Sequence, residues 1–138
     1  FISPKIKVEK SPIHGYGVFA KEDIEEGEII ERSLTVTFAT NSFDKFHLNW
    51  ENNIRHVLCD YTFQICGTEY SCMIMGYGGI YNHSSEPNSC YRWVGVSPDP
   101  DSILCEFYTL KKIEKGEEIT HSYGPSPEFT DSGGWYHS

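Results

Sequence analysis

The sequence lacks most of the patterns that identify a common class of protein. Its five cysteines form no C-x-x-C pair and are odd in number, which argues against a four-cysteine zinc site and against a secreted disulfide framework. It has neither the G-x-G-x-x-G fingerprint nor a Walker lysine, so phosphate binding by a glycine loop is disfavoured. It also has no run of about eighteen apolar residues and no basic leader before an apolar stretch, so we predict neither a membrane span nor a signal peptide.

Positive charge is scarce as well. The chain carries 11 lysine and arginine residues against 20 aspartate and glutamate residues, for a formal net charge of −9 at neutral pH. A protein that covers nucleic acid broadly needs clustered cations, so we expect no direct nucleic-acid binding. The acidic balance favours cationic partners instead. Net charge acts mainly on encounter and solubility, so it does not indicate the chemistry.

Neither the cysteines nor the histidines are spaced as metal ligands. We interpret the cysteines as free thiols, buried or half-buried, in a reducing intracellular compartment. They are Cys59, Cys66, Cys72, Cys90 and Cys105. A cysteine nucleophile is the alternative, although nothing in the sequence marks a pocket around one. The six histidines are scattered, so we interpret each as a surface or loop residue and predict no metal site.

Amphipathic helix patterns are nearly absent, and short apolar runs between glycine turns take their place. The predicted strands are residues 5–9, 34–38, 56–63, 69–75, 103–110 and 119–123. One short helix is expected at about residues 43–50. At 138 residues the chain therefore predicts one compact, mostly β domain.

Two segments share one turn pattern. Residues 24–30 and 113–119 each run from an apolar anchor through a charged turn closed by glycine into the start of a strand. We interpret them as one turn solution used twice and not as an internal repeat. Their glutamates are most simply solvated turn positions. Glu117 and Glu118 would form an acid–base pair only in a cleft that the sequence does not show.

Two glycine-rich stretches carry the candidate functional residues. In residues 13–20, Gly15 and Gly17 flank Tyr16, which predicts either a loop whose backbone approaches a ligand or a simple bulge or turn. Residues 76–88 run through glycines and a short apolar step into Asn82 and His83, and then into turn formers. That stretch suits a polar ligand at the end of a sheet. The alternative is a hairpin corner whose Asn and His satisfy loop backbone groups.

Together with a third motif, these stretches resemble the SET-domain methyltransferases, particularly the minimal viral type. The matching residues, in the family's order and over nearly the whole chain, are 15–20, 76–88 and 116–124. A weaker match at residues 60–63 lies in the family's variable central insert, about residues 40–75. The resemblance implies one SET domain over residues 1–138, a SET-type fold of short strands in small sheets with little helix. It also implies a knot-like C-terminal crossing, in which the Asn82–His83 segment threads under the loop near Tyr123.

The resemblance also implies a site. The residues that would contact S-adenosylmethionine are His14, Gly15, Tyr16, Tyr61, Asn82 and His83. Tyr123 would be the catalytic residue and would orient the amine or the cofactor through its hydroxyl. The residues that would line the substrate channel are Tyr16, His121, Tyr123 and Trp135. The tail, residues 125–138, would close the site.

His121 departs from the family pattern, which often has Phe or Tyr two residues before the catalytic tyrosine. An imidazole there can titrate near neutral pH, so the number of methyl groups transferred stays open, as does a substrate other than peptidyl lysine. The sequence lacks the cysteine-rich zinc segments that flank many SET domains. The tail or a second copy must then complete the site, and the likeness to the viral members predicts a homodimer.

Three functions follow. The resemblance favours a protein-lysine N-methyltransferase that acts on a basic segment such as a histone tail. The acidic balance, the small size and His121 also allow N-methylation of a free amine such as a polyamine. The third possibility is a catalytically silent SET fold used as a binding module. The presence of Tyr16, Asn82, His83 and Tyr123 argues against it.

Overall fold

The computed structural model describes residues 1–39, 62–65, 70–95 and 103–122, and the regular structure in these ranges is β-strand. The strands are β1 (Ile6–Lys10), β2 (Tyr16–Ala20), β3 (Ile29–Ala39), β4 (Thr62–Gln64), β5 (Tyr70–Ile74), β6 (Asn82–His83), β7 (Ser89–Val94), β8 (Leu104–Thr109) and β9 (Glu118–His121). The prediction of a mostly β chain is confirmed, and the helix predicted at residues 43–50 lies outside the described ranges. Within those ranges no helix is long and apolar enough to cross a bilayer.

These strands form two sheets. One has four strands in the order β1-β2-β9-β6, and the other has five in the order β4-β5-β3-β8-β7. Only β6 and β9 pair in parallel; the other pairs among the described strands are antiparallel. Strand β3 is long enough to take two partners in succession, since its part up to Leu34 pairs with β8 and its part from Thr35 pairs with β5.

The five-stranded sheet turns one face into the core. Along β7 the side chains alternate, with Tyr91 and Trp93 buried and Arg92 between them half-buried, as the two-residue period of a strand requires. On the neighbouring strand Phe107 is fully buried, and its ring stacks on that of Tyr81 with centroids 4.3 Å apart. The sequence analysis did not predict β7, because its polar residues hide the apolar period.

The two turns predicted to share one design do so in the structure. Gly27 and Gly116 both have left-handed backbone, with φ of +78° and +92°, a conformation that favours glycine. In each turn the glutamate after the glycine accepts a hydrogen bond from the backbone N–H three residues earlier, at 3.3 and 2.8 Å. The anchors before the turns, Ile24 and Ile113, are fully buried and exchange backbone hydrogen bonds of 2.8 and 2.9 Å. The two turns therefore lie side by side and brace one another.

Candidate functional site

The Asn82–His83 dipeptide forms a strand of its own at the edge of the four-stranded sheet. It pairs in parallel with β9, with Asn82 opposite Thr120 and His83 opposite His121. Just beyond it, the backbone N–H of Ser84 donates to the carbonyl of His121 at 3.1 Å. Sequence analysis expected a strand that ends at this dipeptide, whereas the structure includes the dipeptide in the sheet.

The Asn82 side chain connects the three motifs that the sequence analysis identified. It is 5% exposed, and its Nδ2 donates to the backbone carbonyls of His14 and Tyr16, both at 3.1 Å. The same nitrogen donates to Glu118 Oε2 at 2.7 Å. An amide nitrogen has two N–H groups, so the three acceptors share them. The Asn82 amide thus holds nearby backbone, and residues 14–16, 82 and 118 meet at one point.

Around this buried amide, the other predicted cofactor residues are exposed. His14, Gly15 and His83 are all exposed, and Tyr16 is 59% exposed. Gly15 has a left-handed φ of +50°, and a Cβ placed there would meet no atom of the described residues within 4 Å. The site therefore combines one buried anchor with exposed neighbours and open space beside the Gly15 backbone.

Asn88, the last residue of the second motif, satisfies the backbone of β9. Its Nδ2 donates to the Glu118 carbonyl and its Oδ1 accepts from the Thr120 N–H, both at 2.9 Å. The next residue, Ser89, donates from its hydroxyl to the Thr120 carbonyl at 2.7 Å. Buried backbone groups need such partners. The Asn88 and Ser89 side chains therefore supply hydrogen bonds to the β9 backbone in addition to those from the neighbouring strands.

His121 lies in the core, and the prediction that every histidine is a surface or loop residue is wrong for it. It is 1% exposed. Its ring lies among four aromatic rings, with centroid distances from 5.5 to 6.4 Å. They belong to Phe63, Tyr81, Tyr91 and Phe107. Burial lowers the pKa of His121 to about 4, although backbone hydrogen bonds at Ser122 and Tyr81 act in the opposite direction. The imidazole is therefore neutral near pH 7 and does not titrate there as the sequence analysis expected.

Glu31 is a buried carboxylate that the sequence analysis did not single out. It is fully buried on β3 and accepts hydrogen bonds from the Ser33 hydroxyl, from the Tyr81 hydroxyl at 2.7 Å and from the Tyr77 N–H at 2.9 Å. Burial raises its pKa, and these hydrogen bonds oppose the rise only in part. The sequence gives little sign of this, because Glu31 follows the apolar pair at residues 29–30 as one of two adjacent charged residues, Glu31 and Arg32.

Glu118 was interpreted as a solvated turn residue, and this interpretation is wrong. Its carboxylate accepts from the Ser11 hydroxyl, at 2.7 Å to Oε1 and 2.9 Å to Oε2, as well as from Asn82. The interpretation holds for Glu114 and Glu117, which are exposed. A polar residue that directly precedes the apolar residues of a strand was the only local sign that Glu118 differs.

Two of the three described thiols, Cys72 and Cys105, are poor nucleophiles. Cys72 and Cys105 are buried and Cys90 is half-buried, and all three are free, as predicted. Burial raises the pKa of the Cys72 thiol to about 12 and also raises that of Cys105, so both are protonated at neutral pH. No group of three or more His, Cys, Asp or Glu side chains in the described ranges is arranged to hold a metal ion.

Three predicted site residues, Tyr61, Tyr123 and Trp135, lie outside the described ranges. Their roles in cofactor binding, catalysis and the substrate channel stay predictions. The same holds for the knot-like crossing near Tyr123 and for the closure of the site by residues 125–138.

This chain is similar in sequence to histone-lysine N-methyltransferases. The histone-lysine N-methyltransferase of Schizosaccharomyces pombe that is specific for lysine 37 of histone H3 is 28% identical over 134 residues, which are 92% of this chain and 83% of that protein. The lysine-36-specific enzyme of Candida albicans is 28% identical over 123 residues, which are 86% of this chain but only 14% of that protein.

A solved structure shows the same fold. The crystal structure of the Plasmodium falciparum putative histone methyltransferase PFL0690c superposes with a TM-score of 0.67 at 32% sequence identity, over 88% of this chain and 99% of that one. Residues 15–124 match the SET domain family, a span that includes all three motifs and the Asn82 contacts with Tyr16 and Glu118. The chain belongs to the SET domain family.

Proposed function

We propose that this chain is an S-adenosylmethionine-dependent N-methyltransferase that methylates a lysine side chain in a basic protein segment such as a histone tail. The observation that carries the proposal is the Asn82 amide, which joins the loop at residues 14–16 to β6 and β9. The family membership of residues 15–124 supports it, and so do the relatives that are named histone-lysine methyltransferases.

The described residues fit the cofactor. The space beside the Gly15 backbone is open, and the exposed side chains of His14, Tyr16 and His83 flank the buried Asn82. Exposed aromatic and imidazole rings next to open backbone suit an adenine ring, which stacks and accepts hydrogen bonds. When bound, S-adenosylmethionine supplies a methyl group on a positively charged sulfur.

Methyl transfer requires an uncharged amine, whereas a free lysine amine has a pKa of roughly 10.4. A narrow aromatic channel favours loss of the proton, because desolvation destabilises the ammonium form. His121 lies two residues before Tyr123 and is neutral near pH 7, so it places no fixed positive charge on the segment that leads to this tyrosine. Tyr123 would then orient the amine through its hydroxyl, and the enzyme would act mainly by positioning the reactants.

The test is a methyl-transfer assay with labelled S-adenosylmethionine and separate substrates: full-length histone H3, whole-lysate protein, and putrescine or spermidine. Label in the histone is the expected result. Label only in the small-molecule fraction would establish the free-amine alternative, and no transfer with intact cofactor binding would establish a silent binding module.

Two variants make the assay specific. Tyr123→Phe removes the hydroxyl but keeps the ring, so we expect cofactor binding to persist while turnover falls at least about 100-fold, the range for one positioned catalytic group. Ile24→Val, in the core beneath the paired turns, is the control for a general loss of stability. Cofactor binding follows from calorimetric titration.

A homodimer like that of the minimal viral SET enzymes is part of the proposal. The likeness in motifs supports it, and sedimentation equilibrium at several protein concentrations tests it. A mass that stays at 15.8 kDa throughout would exclude the dimer without affecting the proposed chemistry.

A further inference from the structure

We propose that Glu118 is the positioning residue that sets the conformation of the cofactor loop, defined here as residues 11–17, which are the β1–β2 connection and the first two residues of β2. The inference rests on the proposed function, since it assigns the loop to cofactor binding. Glu118 is not suggested to touch the cofactor. It acts through Asn82 and Ser11, which hold the loop from its two ends.

The contacts form one continuous path. The Ser11 hydroxyl donates to both oxygens of Glu118 and accepts from the Ile13 N–H at 2.9 Å. On the other side, Asn82 Nδ2 donates to Glu118 Oε2 and to the carbonyls of His14 and Tyr16. The Glu118 carboxylate therefore determines where both the first half and the second half of the loop lie.

Within the loop, a further backbone bond closes the segment. The Ser11 N–H donates to the Gly15 carbonyl at 2.8 Å, so residues 11–15 form a closed turn whose internal shape is already determined. This turn is the tip of the β1–β2 hairpin, which pairs with β9 through β2, and the side-chain bonds that hold the tip itself come from Ser11 and Asn82. Glu118 is the group in the described structure that bonds to both the turn and Asn82.

The surroundings of Gly17 show that Glu118 and Asn82 lie very close to the backbone of β2. A Cβ at this position would lie 2.2 Å from Glu118 Oε2 and 3.0 Å from Asn82 Nδ2, which no side chain tolerates without movement of the carboxylate. Gly17 has no left-handed backbone, so its role here is to leave space. The residue after Tyr16 thus makes room for a carboxylate that comes from the other end of the chain.

The chemistry at this point requires a carboxylate. Ionised glutamate offers two acceptor oxygens and no donor, which matches the converging hydroxyl of Ser11 and amide of Asn82. Glutamine in its place would supply one acceptor oxygen and direct an NH₂ group at one of these donors. The loop would lose one charge-assisted hydrogen bond, and such bonds are roughly twice as strong as neutral ones.

The test uses Glu118→Gln, with Glu117→Gln as the matched control on the adjacent exposed residue. We expect the Kd for S-adenosylmethionine to rise about tenfold in Glu118→Gln and to stay unchanged in Glu117→Gln. A second measurement needs no cofactor: the amides of Ser11 and Ile13 should exchange hydrogen about tenfold faster in Glu118→Gln, while the amides of β8 keep their rates.

Each outcome decides the proposal. An unchanged Kd in Glu118→Gln overturns it, and so does exchange that accelerates throughout the chain, which would show a purely structural role. If the wild-type chain takes up no S-adenosylmethionine, the proposed function fails, and the exchange rates alone then decide whether Glu118 positions the loop. If Glu118→Gln does not fold, Ser11→Ala tests the same path through its other member, with the same two readouts.

Discussion

Two carboxylates accept hydrogen bonds from the consecutive residues Tyr81 and Asn82, and the two differ in how deeply they are buried. Glu31 accepts from the Tyr81 hydroxyl and Glu118 accepts from the Asn82 amide, each at 2.7 Å. Each carboxylate lies where a glycine leaves room, since a Cβ at Gly76 would be 2.6 Å from Glu31 Oε2 and one at Gly17 would be 2.2 Å from Glu118 Oε2. The chain therefore places a carboxylate against a glycine twice, once on each side of the segment that carries the site.

The difference between the two lies in burial. Glu31 is fully buried, and burial raises its pKa, whereas Glu118 is half-buried beside the exposed cofactor loop. A buried polar network is stabilising only when every member is satisfied. The inner carboxylate should therefore matter most for stability, and the outer one for the position of a loop that binds a ligand.

Replacement of the inner carboxylate has the largest expected effect. Glu31→Ala removes the acceptor of three donors, the Ser33 and Tyr81 hydroxyls and the Tyr77 N–H. We expect the free energy of unfolding to fall by about 4 kcal/mol, from the unpaired buried donors together with the cavity. Glu118→Ala, nearer to solvent, should cost about 1.5 kcal/mol. Urea unfolding of both variants measures the two values. Equal losses would contradict the proposed division between stability and positioning.

Alanine substitutions at three glycines separate the effect of close contact with a carboxylate from that of backbone strain. Gly76→Ala meets two obstacles, a left-handed φ of +77° and a Cβ within 2.7 Å of Glu31 and Ser33 oxygens. We expect a loss of about 3 kcal/mol in the free energy of unfolding. Gly27→Ala has nearly the same φ, +78°, with no atom within 4 Å of the Cβ, so it isolates the backbone strain at about 1 kcal/mol.

Gly17→Ala supplies the opposite control, because it has the close contact without the left-handed backbone. Its obstruction is the end of a flexible side chain, so we expect about 1 kcal/mol in stability together with weaker cofactor binding. If Gly76→Ala and Gly27→Ala lost the same amount, the contact with Glu31 would contribute nothing.

The pH dependence of stability tests the burial of Glu31 directly. Its folded pKa lies above the usual value of 4.5, so the folded chain binds more protons than the unfolded chain at pH values just above 4.5. Its contribution to stability is therefore fully present below that pH and is lost as pH rises through the raised pKa. Glu31→Gln has no such titration. Its oxygen can still accept from Tyr77 and Ser33, while the bond with Tyr81 reverses, so that the NH₂ donates to the hydroxyl oxygen.

We expect the stability of wild type relative to Glu31→Gln to decrease as pH rises above 4.5 and then to level off. His121, whose lowered pKa makes stability fall as pH drops from 6.5 toward about 4, is present in both proteins and cancels in the difference. Urea unfolding of both proteins across this range is the measurement. A flat difference would show that Glu31 has the same pKa in the folded and unfolded chains.

How much the sequence predicted depends on the distance over which each feature is encoded. The paired turns follow from a local pattern of apolar anchor, charge and glycine, and the structure confirmed both. The meeting of the motifs at Asn82 followed from family resemblance and not from any local rule. Glu31 and Glu118 were missed because each depends on a partner that is distant in sequence, Tyr81 at 50 residues from Glu31 and Ser11 at 107 residues from Glu118. His121 was misplaced because a single histidine gives no sign of the rings that the fold brings around it.

A third carboxylate, Glu106, differs from the other two in its partners, and its replacement has the smallest expected effect among the three carboxylates. It is 4% exposed, yet it bonds to two arginines, Arg32 and Arg92, whose side chains are 47% and 32% exposed. Burial alone would raise its pKa, but hydrogen bonds and positive charge from Arg92 and Arg32 outweigh burial and lower it. Because these cations are partly in solvent, Glu106→Gln should cost only about 1 kcal/mol in low salt.

The response of stability to salt distinguishes Glu106 from Glu31. The loss in Glu106→Gln should shrink in about 1 M NaCl, where screening extends to roughly 3 Å. The loss in Glu31→Gln should change much less, because the groups that donate to it are neutral and the N-terminal charge is the smallest of the influences on its pKa. Urea unfolding at low and high salt compares the two variants. Screening acts on charge pairs and leaves neutral hydrogen bonds unaffected. If both losses responded equally to salt, the distinction between a carboxylate held by neutral donors and one held by exposed cations would therefore be wrong.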